Sequence, residues 1–108
     1  MDSQKYRRRW QRAAFEALGE FLAADLPAVS WTLSVSGALV GTVDSLMTAP
    51  VSEQRAVFEA WARHLGARVS PERVDSSGVT HLYAQFSGKG GVLGAIRATL
   101  YPPLDGDA

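Results

Sequence analysis

Three places in this chain hold residues that could do chemistry. In "SGKGG", residues 87 to 91, Lys89 stands among glycines after an apolar run. Such a loop can cradle phosphate on backbone N–H groups while its lysine reaches the terminal oxygens. That chemistry needs Gly-Lys followed by Ser or Thr at the start of a helix. Lys89 is followed by Gly90, Gly-Lys-Ser/Thr occurs nowhere, and only 17 residues remain after Gly91. The stretch therefore reads as a β-hairpin turn, whose glycines tolerate positive φ.

The second place is "KYRRRWQR", where Lys5, Arg7, Arg8, Arg9 and Arg12 surround Tyr6 and Trp10. Cations interleaved with aromatics can contact nucleic-acid phosphates or an anionic membrane surface. The chain as a whole balances 11 basic against 11 acidic residues, so this cluster leaves the remainder net acidic. Tyr6 and Trp10 share a helical stripe with Ala14, Leu18, Phe21 and Leu22 and are expected to pack on the domain. Glu16 lies four residues after Arg12, a spacing that forms helical ion pairs. The segment thus reads first as a solvated helix face, with nucleic-acid binding as the alternative.

The third place is the pair of histidines, His64 and His81. Neither has a second imidazole or a carboxylate at the spacing of His-Glu-x-x-His, and the chain has no cysteine. Metal, cofactor and disulfide chemistry are therefore not expected. No Gly-x-Ser-x-Gly elbow is present. An enzyme would need a scattered, motif-free site, and the sequence favours a module without catalysis.

The elements that must position these residues follow from periodicity. A first helix is predicted over roughly 3 to 24 and ends before Pro27, because the residue preceding proline leaves helical geometry. "SWTLSVSGALVGTVD" predicts two strands turning at Gly37, with Trp31, Leu33 and Val35 alternating against Thr32, Ser34 and Ser36. Ser52 is the expected N-cap of a second helix that buries Val57, Phe58, Trp61, Ala62 and Leu65 and stops at Gly66. Residues 67 to 78 read as a polar connection with a short strand at 67 to 69. "VTHLYAQF" and "VLGAIRATLY" predict two further strands. An echo joins the helices: "AAFEALGEFLA" and "AVFEAWARHLG" share Ala, Phe, Glu, Ala and Leu in register.

A chain of 108 residues that is 46% hydrophobic fits one domain over 1–108, with 1–4 and 102–108 expected to fray. The order helix, hairpin, helix, hairpin predicts an α+β two-layer sandwich: an antiparallel sheet with both helices on one face, with the helix echo suggesting an internal duplication. Trp31, Leu33, Val35, Phe58, Trp61, Leu65, Leu82 and Phe86 form its expected core. The other face would then show His81, Tyr83, Gln85, Arg97 and Tyr101 with Thr32, Ser34, Thr42 and Thr99. Tyrosine and arginine are interface residues, so this face is the candidate binding surface for a homodimer or another protein partner. The last strand carries one charge, Arg97, and would be a poorly defended edge if it lay outermost.

"FEAWARHLGA" and "GVTHLYAQF", with the Ala/Arg-rich composition, resemble a class of small uncharacterised proteins from GC-rich actinobacterial genomes. The resemblance covers about the second half of the chain and implies no activity. No apolar run is long enough for a membrane span or a secretory leader. The sequence reading is a cytoplasmic protein.

Overall fold

A computed structural model describes residues 2–34, 37–43, 50–88 and 91–102. Among them are two helices and a six-stranded open sheet, a mixed α+β fold. Helix α1 (Asp2–Ala23) leads into strands β1 (Ser30–Leu33) and β2 (Leu39–Val43). Helix α2 (Val51–Leu65) is followed by β3 (Arg68–Val69), β4 (Arg73–Val74), β5 (Thr80–Ser87) and β6 (Leu93–Leu100). Residues 2 to 4, expected to fray, are helical. Residues 103 to 108 of the predicted tail lie outside the described residues.

Local chemistry accounts for most boundaries. Gly66 caps α2 in the left-handed region at φ 60°, and the next N–H, from Ala67, returns to the Ala62 carbonyl at 2.9 Å. At its other end α2 begins one residue before the predicted cap. Pro50 holds that place, its carbonyl accepting from Glu53 and Gln54, and Ser52 falls inside the first turn. Proline suits this junction because its fixed φ leads into a helix without a wasted donor. The "SGKGG" stretch does join two strands. Gly88 N–H meets the Val92 carbonyl at 2.7 Å and Gly91 has φ 80°, while Lys89 and Gly90 lie outside the described residues. A strand, not a helix N-terminus, follows it.

The strand order is β1-β2-β6-β5-β3, with β4 also paired to β5. All pairings are antiparallel except β2 with β6, which run parallel from Leu39↔Gly94 to Val43↔Ala98. The expected antiparallel sheet is therefore mixed. The chain leaves β2, traverses α2 and β5, and returns β6 to β2's free side in the same direction, as a helical crossover permits. β6 does not lie outermost, so the condition under which its edge would be undefended is not met. A strand with one charge is most stable where both of its ladders are satisfied, and β6 occupies that central place. Gly94 makes this possible: a Cβ there would collide with the Leu39 carbonyl and the Phe86 ring.

The core lies between the helices and alternate sheet residues. Phe58, Trp61 and Ala62 of α2 are buried with Val43, Leu82, Ala84, Ile96, Ala98 and Leu100. Ala14 of α1 is buried with Leu39, Phe86 and Val92. Phe21 joins the two groups: it stacks on Trp31 at 5.0 Å and meets Phe86 and Trp61 edge-on at 5.7 and 6.1 Å. Trp61 completes the cluster edge-on to Trp31 at 5.3 Å, and its indole N–H donates to the Pro27 carbonyl at 2.7 Å, so its polar end is satisfied.

Four residues expected in the core, Leu33, Tyr6, Trp10 and Leu22, are exposed. Leu33, at the hairpin end of edge strand β1 where it pairs with Leu39, is 37% exposed. Val35 lies outside the described residues. Tyr6, Trp10 and Leu22 are exposed although they share the apolar stripe. Residues 4 to 10 are all exposed, and burial begins in the following turn, so the first two turns of α1 extend beyond what the sheet can cover. Trp10 touches the domain through its backbone, which packs on Gly37, and Gln11 donates to the Ser34 carbonyl at 3.3 Å.

Candidate binding face of the sheet

Alternation along β5 and β6 decides which side chains face away from the helices. Leu82, Ala84 and Phe86 are buried, which leaves His81, Tyr83, Gln85 and Ser87 on the outer face. Register then fixes their neighbours. Tyr83 lies opposite Arg97, His81 opposite Thr99, Gln85 opposite Ala95 and Ser87 opposite Leu93. On the far side of β6, Thr42 pairs with Arg97, and the guanidinium Nε donates to its hydroxyl at 3.2 Å. Tyr101 follows β6 directly, is exposed, and continues the alternation of Arg97 and Thr99.

The face expected from sequence is thus assembled, with one exception and two additions. Ser34 belongs to the β1–β2 turn, where its hydroxyl accepts from Ala38 at 3.0 Å. The additions are Arg68 and Arg73, from the segment read as a polar connection. β3 pairs Arg68 with Gln85 and β4 pairs Arg73 with His81, so both arginines share the outer face with their partners. The sequence carries a signal for them: "ARVS" and "ERVD" each place an arginine before a β-branched valine within a polar stretch.

Tyr83 therefore sits inside a triangle of arginines. Arg97 is directly across from it, and Arg68 and Arg73 oppose the residues two places to either side. Among the described residues the ion pairs are Arg55–Glu72 and Asp75–His81, so none of the three arginines is neutralised by a carboxylate. Tyr83 is 40% exposed, and its hydroxyl accepts from the Gln85 amide at 3.4 Å. A groove of about 510 Å³ runs beside it, lined by Thr42, Ser70, Arg73, His81, Arg97 and Thr99.

One end of this groove is braced by the 75–78 turn. The Asp75 carboxylate accepts from the N–H groups of Ser77 and Val79 at 2.8 and 3.1 Å and lies 3.0 Å from His81 Nε2. These contacts, His81 first, hold its carboxyl below the usual carboxylate range. The dyad fixes His81 against the turn. A second cleft of about 280 Å³ lies on the helix side, floored by Phe58, Ala62 and Leu82. Arg55 and Glu72 both line it and form a two-pronged pair, with contacts of 2.7 and 3.2 Å.

The other candidates are placed elsewhere. Lys5, Arg7, Arg8, Arg9 and Arg12 are exposed on α1, and none of them lines the groove beside Tyr83. Arg9 stands over the Tyr6 ring at 5.7 Å, and Tyr6 lies 6.3 Å from Trp10. The expected Arg12–Glu16 pair does not form, since an exposed pair gains little against the entropy of holding both side chains. His64 sits edge-on to Trp61 at 5.9 Å in the last turn of α2. Among the described residues no three metal-ligating side chains converge, and no helix is long and apolar enough to cross a membrane. No family model, curated protein or solved structure matches the chain.

Proposed function

We propose that this chain is a two-layer α+β binding module without catalytic activity. Both helices cover one face of the sheet, and the other face takes an anionic partner. The observation that carries this reading is the triangle of Arg68, Arg73 and Arg97 around Tyr83, with no carboxylate paired to any of them. Three cations against one carboxylate, Asp75, which is engaged with His81 at the groove's end, favour a partner of opposite charge. The working surface is Tyr83, Arg97, His81, Gln85 and Tyr101, extended by Arg68 and Arg73.

A symmetric homodimer centred on Tyr83, Arg97 and Tyr101 is the second reading. It is favoured by Leu93, 62% exposed at one end of the face, and by the direct opposition of Tyr83 to Arg97, which lets each tyrosine of a two-fold pair meet the other copy's guanidinium. Against it, that geometry brings two sets of three arginines together.

Salt-gradient elution from immobilised heparin tests the first reading and sedimentation velocity the second. Wild type should be retained, and Arg68→Glu/Arg97→Glu should elute early while melting normally. Equal retention of the two would remove the anionic reading. A wild-type dimer that Tyr83→Glu dissociates would establish the homodimer in its place.

A further inference from the structure

We infer that the anionic partner is a single strand of nucleic acid lying across β5 and β6, with a base stacked on Tyr83; this rests on the anionic-face reading above. The first argument is the spread of the charges. Arg68 and Arg73 oppose Gln85 and His81, four residues apart on β5, so their backbones are separated by about 13 Å along the strand. Arg97 lies on the other side of β5, about 10 Å across the sheet from Arg68's strand. Charges so distributed fit a chain carrying repeated charges better than one small anion.

The second argument is what the triangle encloses. Tyr83 is half-exposed and its hydroxyl is tethered by Gln85, which makes it a platform of restricted orientation. Aromatic rings within a basic groove bind unpaired bases by stacking, whereas an acidic peptide gains nothing comparable from them. An extended peptide would instead add to a sheet edge, where backbone groups are free. A duplex keeps its bases stacked on one another and offers none to Tyr83. Thr42, Thr99, His81 and Gln85 supply the hydroxyl, imidazole and amide groups that base edges and ribose hydroxyls engage.

The third argument separates this face from the basic helix. Lys5 to Arg12 carry more charge, but Arg9 stands over the Tyr6 ring at 5.7 Å and a single helix offers no flat surface. On α1 the exposed Tyr6 and Trp10 lie against each other on one convex helix, whereas the sheet sets Tyr83 in a flat face with arginines on both sides.

Fluorescence anisotropy with labelled 12-mers of oligo-dT and oligo-rU, the same length as duplex, and a poly-glutamate peptide tests the inference. Single strands should bind most tightly. Three phosphate contacts predict an affinity loss of about 20-fold between 50 and 200 mM salt. Tyr83→Ala should weaken binding about tenfold or more with the salt slope unchanged, and Arg97→Ala should lower the slope by about 0.7. Arg7→Glu/Arg8→Glu/Arg9→Glu should remain within about twofold of wild type, since those residues lie outside the triangle. Circular dichroism of each variant checks that it is folded.

Binding abolished by the triple change but indifferent to Tyr83→Ala would move the site to α1 and overturn the inference. Duplex bound as tightly as single strands would overturn it as well. Retention of heparin and poly-glutamate without oligonucleotide binding would remove the nucleic acid and leave the anionic face standing. Failure to bind any polyanion would end both.

Discussion

Helices α1 and α2 carry Ala, Phe, Glu, Ala and Leu in the same register, yet Phe15 is 68% exposed and Phe58 only 2%. Leu22 and Leu65 part in the same way, the first exposed and the second half-buried. In α2 the buried arc runs through Gln54, Phe58, Trp61 and Ala62; in α1 it runs through Ala14, Ala17, Leu18 and Phe21. Relative to the shared residues, α1 is rotated by about one position, close to 100°. What sets the rotation is the receiving slot. Trp31, Trp61 and Phe86 surround a space that Phe21 fills, and turning α1 to bury Phe15 would withdraw Phe21. An amphipathic segment therefore specifies that it will be a helix more firmly than which of two adjacent arcs it will bury. The similarity of the two segments does not extend to similar environments.

The largest expected effect is a direct break of this comparison. Phe58→Ala should cost about 3 to 5 kcal/mol, as should Trp61→Ala, because each empties a filled core site. Phe15→Ala, the same change at the echoed position, should stay within about 0.5 kcal/mol. Denaturant unfolding of the three proteins decides it, and equal losses at Phe15 and Phe58 would mean that α1 is set on its other arc. Next in size is the seat of α1 on the first hairpin. Gly37 has φ 86°, and a Cβ there would lie 2.7 Å from that of Trp10. Gly37→Ala should therefore cost about 1 to 3 kcal/mol. Gly66→Ala, left-handed but with open space around it, should cost only the backbone share of about 1 to 2 kcal/mol.

The smallest effect is electrostatic and sharpens the contrast between the packed face and the outer one. Because Asp75's carboxyl is held below its unfolded range, it contributes stability that is present above the unfolded pKa, about 3.9, and is lost as pH falls through the lower folded value. Wild type should melt above Asp75→Asn at neutral pH, and the two should converge in acid. A gap that persisted undiminished at the lowest pH would show that the carboxylate charge is not what braces the turn.

Much of the outer face is legible in the amino-acid sequence. Along "THLYAQFS" and "IRATL" the alternation of apolar and polar residues is itself the face assignment, because strand side chains alternate with a period of two. That is why Tyr83, Arg97, His81 and Gln85 fall together as expected. Gly66 and Gly91 are legible for a similar reason: the need for positive φ is local, and glycine meets it. Arg68 and Arg73 are obscured because two-residue strands have no period to read. They acquire a face only by pairing with β5.

What the sequence by itself determined is therefore what one element can express alone: two amphipathic helices, strand alternation, and turns at glycine. The tertiary structure decided the rest. The parallel β2–β6 pair, the central place of β6, the rotation of α1 and the arginines around Tyr83 each depend on residues far apart in the chain. Their energies exist only when both partners are in place: a ladder needs its second strand, Gly94 its close neighbours, Phe21 its slot. No pattern within a single segment carries such a term, because segments similar along the chain can bury different sides once the surrounding surface is formed.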